Sequence, residues 1–281
     1  AEYDGAQDYD FIFRCTEMAG KIVHIPRVLY HWRVHSASTA DNPASKLYAY
    51  EAGKKAIEGN LLRCGEEGTV TLRSDYGFYD VEYKLQGTPL VSVLIPNKDQ
   101  ADTLRTCIES IRKKCAYPAF EILVIENNST EKATFSYYKE LEAQGIRVLQ
   151  YPKQGFNYSA INNFGVREAK GEYLLFLNND MEVITPDFME KMVSNLQRPQ
   201  IGAVGAKLYY PDNTVQHAGI ILGIGGIAGH AFLGLGRGRS GYQHKASLQM
   251  NVSAVTAACM MVKKEVFEKI GGFEEELSVA F

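Results

Sequence analysis

The stretch Gly171-Glu172-Tyr173-Leu174-Leu175-Phe176-Leu177-Asn178-Asn179-Asp180 sets the reading of the rest of the chain. Tyr173–Leu177 is an unbroken apolar run, the pattern of a strand buried on both faces of a sheet. It stops on three polar residues, Asn178, Asn179 and Asp180. Such a strand delivers a carboxylate and two amides to its carboxyl end, and in open α/β sheets ligands bind in the crevice along that edge. The same three residues also suit a plain turn into the next helix.

Upstream, Leu90–Pro96, Phe120–Ile125 and Ile146–Gln150 read as further strands. Between them lie three predicted helices. Asp102–Lys114 carries Leu104, Cys107, Ile108 and Ile111 on one face; Thr130–Gln144 follows; Asn157–Lys170 is capped by Asn157 and stopped at Gly171. Four strands alternating with helices over short loops predict βαβ units, a parallel sheet and right-handed crossovers. Downstream the regularity fades. Thr185-Pro186-Asp187 caps a helix ending near Leu196, and Gly202–Tyr210 reads as one strand. Val215–Phe232 is rich in Gly and Ile, and Gly234–Gly241 is a basic loop. Ser253–Lys263 reads as a mostly apolar strand, before a short helix over Glu265–Ile270 closed by Gly271-Gly272.

The 281 residues can bury a sizeable core in one large domain or two modest ones. With 46% hydrophobic and 22% charged residues the chain is globular in composition, and a net charge of −3 gives no general footprint for nucleic acid. No apolar run is long enough to span a bilayer. The acidic first residues lack the basic and apolar regions of a signal peptide. Five widely spaced cysteines without a Cys-x-x-Cys pair predict packed thiols in a cytoplasmic protein, with neither a zinc site nor a disulfide framework.

The first part of the chain has another character. Asp8–Arg14 reads as a helix, with Gly20 as its stop, and Lys21–Leu29 as a strand broken by Pro26, followed by Tyr30-His31-Trp32-Arg33. A helix and one strand with no strands before them make no core of their own. Asp41-Asn42-Pro43 starts an amphipathic helix that ends at Gly65, and Val70–Leu72 with Phe78–Leu85 reads as a small hairpin.

Three predicted strand ends bring polar residues side by side: Asn97-Lys98-Asp99, Glu126-Asn127-Asn128 and Asn178-Asn179-Asp180. No Gly-x-Gly-x-x-Gly follows the first strand and there is no Gly-Lys-Ser/Thr P-loop, which weighs against a dinucleotide fold and a P-loop enzyme. An acid at the second strand end, Glu126, suits hydrogen bonds from a ribose or base edge; it equally suits the dipole of the helix that follows. A carboxylate at the fourth, Asp180, suits a hard divalent cation, Mg²⁺ or Mn²⁺, with diphosphate oxygens completing the shell.

Taken in order, Val91–Pro96, Glu121–Ser129, Asn157–Gly165, Leu177–Asp180 and Val255–Phe273 resemble the family 2 glycosyltransferases with the GT-A nucleotide-sugar-binding fold, over residues 89–281. The resemblance implies an α/β fold: a Rossmann-like, mostly parallel sheet flanked by helices, preceded here by an N-terminal helical and hairpin segment. It implies an inverting transfer of a sugar from a UDP- or dTDP-linked donor to a hydroxyl of a glycan or lipid-linked acceptor, in cell-surface polysaccharide synthesis. The family's Asp-x-Asp falls on Asn178-Asn179-Asp180, so Asp180 is the implied carboxylate for Mn²⁺ or Mg²⁺, and Asn178 stands where the family has its first Asp. Glu126 takes the place of the base- and ribose-binding acid, with Asn128 beside it. Pro96 and Asn97 border the implied nucleotide pocket, and Asn162 and Gly165 lie on the helix that the family packs beneath the diphosphate. Arg or Lys of Gly234–Gly241 is expected to add positive charge. His217 and His230 suit either substrate contact or structure, and Tyr158 and Trp32 either sugar stacking or the core.

The resemblance further implies an acidic Asp-x-Asp-Leu helix with the catalytic base shortly after Gly-Gly-Phe, and Phe281 falls short of it. Residues 1–40 resemble that segment, through Gln7–Phe11, Gly20–Pro26 and Tyr30–Arg33. The expected organisation is a piece of a tandem protein: 1–40 the tail of a preceding module, 41–88 a helix–hairpin linker, 89–281 most of a second module. Asp8 is then the candidate base and His31 a candidate metal-side ligand, with the tail docking in its own chain or in a dimer. A cytoplasmic location, with peripheral association at the inner membrane face, accompanies a lipid-linked acceptor. Two other readings stay open. One is a nucleotidyltransferase, although Asn97–Gln100 supplies no Gly-rich basic loop; the other is a non-catalytic nucleotide-sugar-binding or scaffold module of a larger synthase.

Overall fold

The computed structural model describes residues 2–31 and 46–277, in two compact units, Ala1–Lys84 and Leu85–Phe281. The predicted Asp41–Pro43 cap and Trp32-Arg33 lie outside the described residues.

The first unit contains helices α1 (Gln7–Met18) and α2 (Leu47–Arg63) and the antiparallel hairpin β1 (Gly68–Leu72) and β2 (Tyr79–Tyr83). Ile57, Leu61 and Val70 are buried against Phe13, Tyr79, Val81 and Tyr83. Arg63 of α2 reaches Glu17 of α1, with Nη2 to Oε1 at 2.8 Å, and lies 3.7 Å from the buried Asp10. Residues from the predicted tail and the predicted linker thus share one small core. Helix α1 ends through an extended Ala19 rather than at Gly20. The strand predicted over Lys21–Leu29 does not form: no strand pairs with it among the described residues, and Ile22, Val23, Ile25, Val28 and Leu29 are exposed. An apolar sequence becomes a strand only when its backbone N–H and C=O groups find a partner strand.

The second unit is built on a six-stranded sheet. Its elements run β3 (Val91–Asn97), α3 (Ala101–Lys114), β4 (Phe120–Glu126), α4 (Lys132–Ala143), β5 (Arg147–Gln150), α5 (Tyr158–Glu168), β6 (Tyr173–Leu177) and α6 (Phe188–Leu196). After these come the short strands β7 (Ala203–Gly205), β8 (Leu208–Tyr209), β9 (Val215–His217), β10 (Ile220–Leu222) and β11 (Ala228–His230), then β12 (Cys259–Lys263) and α7 (Lys264–Lys269). The sheet order is β5-β4-β3-β6-β12-β7. The first four strands are parallel, and β12 enters antiparallel to both β6 and β7. The order therefore reverses between β3 and β6, the switch point at which open α/β sheets hold ligands.

The continuous apolar runs are explained by burial on both faces. Val91, Val93, Ile95, Ile122, Val124 and Leu175 face α3, α4 and α6, in a cluster with Leu104, Ile108, Tyr137, Leu141, Met189 and Val193. Leu94, Leu123, Ile125, Leu174 and Phe176 face the other way, with Ile161 and Val166 of α5 and Phe267 of α7. Helix α5 starts as its sequence predicts, with the Asn157 side chain accepting from Ala160 N at 2.9 Å. It lies so close to the sheet that a Cβ on Gly165 would stand 2.6 Å from Ile125 Cδ1.

Two predicted strands come out differently. Gly202–Tyr210 is split into β7, which pairs with β12, and β8, which pairs with β9. The chain changes partners at Ala206-Lys207, after Gly205 has packed against Val255. The strand predicted over Ser253–Lys263 begins only at Cys259. Residues before it leave the sheet to meet the 213–237 ribbon, where Ile220 N donates to Ala254 O at 2.9 Å.

Candidate functional site

The three polar strand ends do lie side by side, because β4, β3 and β6 are neighbours and Asn97 pairs in register with Glu126. Side chains tie them together. Asn97, 2% exposed, accepts from Asn179 Nδ2 at 2.6 Å and donates to Tyr138 Oη at 2.8 Å and to Asp99 O at 3.1 Å. The Tyr138 hydroxyl in turn donates to Glu126 Oε2 at 2.9 Å. Burial pushes that hydroxyl far above the ordinary tyrosine range. Glu126, also 2% exposed, accepts from Ser129 N at 2.7 Å and Ser129 Oγ at 2.5 Å. One network of Asn179, Asn97, Tyr138, Glu126 and Ser129 therefore spans three strands.

The loop after β3 is pinned to the loop after β4 through Asp99. Its Oδ1 accepts from Thr130 N at 2.7 Å and Glu131 N at 2.9 Å. The backbone donors of Glu131 and Thr130 hold the Asp99 carboxyl below its usual range. Asn128, left-handed at φ 59°, receives Gly155 N on Oδ1 at 3.0 Å and donates to Lys153 O at 3.2 Å. Its amide thus stitches the loop after β4 to the one after β5.

Of the acids at this edge, Glu126 and Asp99 are committed to the protein's own donors. Asp180 is different: it is exposed, and among the described residues no hydrogen bond or ion pair engages its carboxylate. Asn178 is anchored by its backbone, with N donating to Ala258 O at 3.0 Å, and its carbonyl accepts from Cys107 Sγ at 3.7 Å. Among the described residues no three His, Cys, Asp or Glu side chains cluster to hold a metal unaided. One free carboxylate fits a Mg²⁺-type ion, which keeps waters and takes the rest of its shell from substrate phosphates.

Two buried acceptors here lack a partner in the protein, Asn127 Oδ1 and Asn162 Oδ1. Asn162 and Gly165 are both buried where α5 meets the sheet, and Pro96 is half-buried at the end of β3. Tyr158 packs at 6.2 Å from the Phe273 ring and donates to Ala257 O at 3.0 Å, and burial pushes its hydroxyl up to about 12. Arg237 of the basic loop lies over Tyr209 at 5.3 Å and reaches Asn213 Oδ1 at 3.3 Å, whereas Arg239 is exposed. Asp8 and His31 belong to the first unit; Asp8 is exposed on α1, where Oδ1 accepts from Tyr9 N at 2.9 Å, and His31 is exposed. Tyr138 and Ser129, which hold the network together, were not singled out in the sequence. The one signal for Ser129 was its place three residues after Glu126, ahead of a helix.

A doubly wound sheet with polar strand ends gathered at its switch point, and one free carboxylate beside them, has the layout of an edge at which open α/β sheets hold ligands. The sequence model of Glycosyl transferase family 2 matches residues 92–271, and the chain belongs to that family. It is 44% identical over 285 residues to "Uncharacterized protein y4gI" of Sinorhizobium fredii, covering 99% of this chain and 31% of that protein. It is 42% identical over 279 residues to "O-antigen biosynthesis protein RfbC" of Myxococcus xanthus, covering 99% of this chain and 22% of that one. The chain thus spans less than a third of the length of either relative. A solved structure of GalNAc-T7 with UDP, GalNAc and Mn²⁺ shares the fold at 16% identity and a TM-score of 0.54, covering 69% of this chain and 38% of that one. The sheet is thus that of the GT-A glycosyltransferases. No helix among the described residues is long and apolar enough to cross a membrane.

Proposed function

We propose that this chain binds a nucleoside diphosphate sugar, UDP- or dTDP-linked, at the β4-β3-β6 edge. The sugar passes with inversion to a hydroxyl of a glycan or lipid-linked acceptor in surface polysaccharide synthesis. The observation that carries the reading is the division among the acids at that edge: Glu126 and Asp99 are consumed by the protein's own donors and Asp180 is left free. The relative named for O-antigen biosynthesis supports the pathway class, and the UDP and Mn²⁺ of the GalNAc-T7 structure support the donor class.

Asp180 would hold Mn²⁺ or Mg²⁺. That ion, when bound, supplies positive charge against the charge that develops on the departing diphosphate. The chain's own residues do the rest. The Asn97–Tyr138–Glu126 network fixes the floor of the pocket, so that its dipoles need not reorganise when the ligand arrives. Asn127 Oδ1 is an acceptor awaiting an N–H or O–H of base or ribose, since the protein offers it none. Asn178 and Asn179 hold the turn that aims Asp180.

A thermal-shift panel of UDP-, dTDP- and GDP-sugars, with and without Mn²⁺, tests this. A ligand at 100 times its Kd stabilises by about 2.7 kcal/mol, which is several degrees in Tm. A metal-dependent shift with one nucleotide is expected, and Asp180→Asn is expected to abolish its metal dependence. A panel with no metal-dependent shift would demote the chain to a scaffold.

A further inference from the structure

His217 and His230 form a pair that the site described above does not use. Their Nδ1 atoms are 3.0 Å apart and the rings meet edge to face with centroids 5.0 Å apart. His217 is 1% exposed, whereas His230 is exposed. The protonation pattern follows from the neighbours. His217 Nε2 receives two backbone N–H groups, from Gly219 at 3.3 Å and from Thr256 at 3.4 Å. An atom that accepts from both carries no proton, so the His217 proton sits on Nδ1 and points at His230. His230 accepts it on Nδ1, and its own proton is therefore on Nε2. Burial, then the neighbouring His230, lowers the His217 pKa to about 4, which agrees with a neutral ring there.

The pair is placed at the ligand edge. Thr256, which donates to His217, lies two residues before Ala258, whose carbonyl receives Asn178 N. Because β12 runs antiparallel to β6 with Cys259 opposite Leu177, residues just before Cys259 stand beyond the carboxyl end of β6, where Asn178–Asp180 also are. The wall is suited to anions. Between Asp212 and Glu265 the sequence has no Asp or Glu, while Arg237, Arg239 and Lys245 fall within it.

We propose that His230 donates its Nε2–H to an oxygen of the nucleotide's diphosphate, and that His217 is a positioning residue that fixes this tautomer from behind. The proposal rests on the transferase reading above. A second N–H at His230 Nδ1 would set two N–H groups against each other, so His217 fixes the tautomer in which His230 Nε2 carries the proton. Few other charges bear on the pair. The 252–258 segment has no titratable side chain, β9, β10 and β11 bring none besides the pair itself, and Lys207, just before β8, is hydrogen-bonded to Ala246 O. Tyr209 of β8 lies under Lys207 and Arg237.

The test measures binding of UDP with Mn²⁺ by calorimetry between pH 5.5 and 8, for wild type and variants. His230→Ala is expected to weaken binding roughly tenfold across the range, the size of a lost hydrogen bond to a charged group. In His217→Phe the His230 ring loses the partner that fixes its tautomer, and binding is expected to weaken several-fold relative to wild type. His217→Asn, whose amide N–H stands near the lost Nδ1–H, is expected to keep the wild-type profile. His217→Phe combined with His230→Ala is expected to bind no more weakly than His230→Ala alone. A folded His217→Phe that binds UDP as wild type does, or His230→Ala binding as wild type does, overturns the proposal. So does imidazole ¹⁵N spectroscopy of the free protein if it places the His217 proton on Nε2. Failure of the wild type to bind either UDP or dTDP overturns the transferase reading and this contact together. Wild-type binding with an unaffected His230→Ala overturns this contact alone.

Discussion

Tyr138→Phe removes one oxygen atom and tests whether the strand ends are held as a unit. That hydroxyl accepts from Asn97 Nδ2 at 2.8 Å and donates to Glu126 Oε2 at 2.9 Å. Without it the buried Glu126 carboxylate keeps only the two donors of Ser129, and Asn97 Nδ2 keeps only Asp99 O. A hydrogen bond to a charged group contributes about 1.5–3 kcal/mol and a neutral one about 1 kcal/mol, while the phenyl ring avoids desolvating a hydroxyl. The net expectation is a loss of about 2–3 kcal/mol. For a unit of this size each kcal/mol shifts Tm by about 2–4 °C, so a fall of about 4–12 °C is expected in a circular-dichroism melt. Tyr137→Phe is the control. It is the adjacent, equally buried tyrosine, with Arg105 over its ring at 4.0 Å and no hydroxyl partner in the network, and should stay within about 0.5 kcal/mol. Weaker nucleotide binding by Tyr138→Phe well below its Tm is expected as well. A Tyr138→Phe protein as stable as wild type, with full nucleotide binding, would refute the network's role.

Asp180→Ala is expected to leave Tm within about 0.5 kcal/mol of wild type, since the side chain is exposed and unpaired, and yet to remove the Mn²⁺-dependent shift; a melt with and without metal reads both. Gly165→Ala should cost about 1–3 kcal/mol by denaturant titration, because the new methyl meets Ile125 Cδ1 at 2.6 Å and Leu94 Cδ2 at 3.3 Å. His217 has a folded pKa lowered to about 4 from an ordinary 6.5, so the unfolded chain binds more protons between those values. Its contribution is then full above about pH 6.5 and is lost as pH falls toward 4; wild type should lose stability over that window more steeply than His217→Phe. Asp99 is linked to pH in the same direction by a different cause. Its carboxyl is held low by the backbone donors of Glu131 and Thr130, so its contribution is present above the ordinary carboxylate pKa and disappears as pH drops through the folded value. Asp99→Asn should show a shallower acid limb below about pH 4 in the same melts.

The sheet was legible because burial on both faces leaves a direct trace in sequence. Tyr173–Leu177 has no polar residue to spare, and neither do Val93–Ile95 or Ile122–Ile125. The Asn157 cap was legible for the same reason that it works, since that side chain does its job within three residues of itself, whereas Asp187 precedes α6 without a side-chain cap bond. The meeting of Asn97, Glu126 and Asn178–Asp180 followed from parallel topology alone. What each side chain does there was not legible. Tyr138 sits at the helical spacing of a core residue, and only tertiary packing brings its hydroxyl between Asn97 and Glu126. Glu126 was read as a ligand-facing acid, and the structure surrounds its carboxylate with protein donors. The 213–237 ribbon was unreadable because its paired segments are three residues or fewer, too short to show a period of two. Lys21–Leu29 failed for the converse reason: the local pattern is present, and among the described residues no strand pairs with it.

The reversed strand β12 has a consequence for how such a chain can diversify. Because β12 enters the sheet from the carboxyl edge, the segment between the end of β7 at Gly205 and Cys259 is obliged to pass over that edge before the sheet can close. The half made of β3, β4 and β5 is laid down without it, and its core is finished by α3 and α4. A swap of residues 206–257 for another sequence would therefore exchange one wall of the crevice while leaving the other standing. The fold separates a fixed side from an interchangeable one, and the seam between them runs along β6.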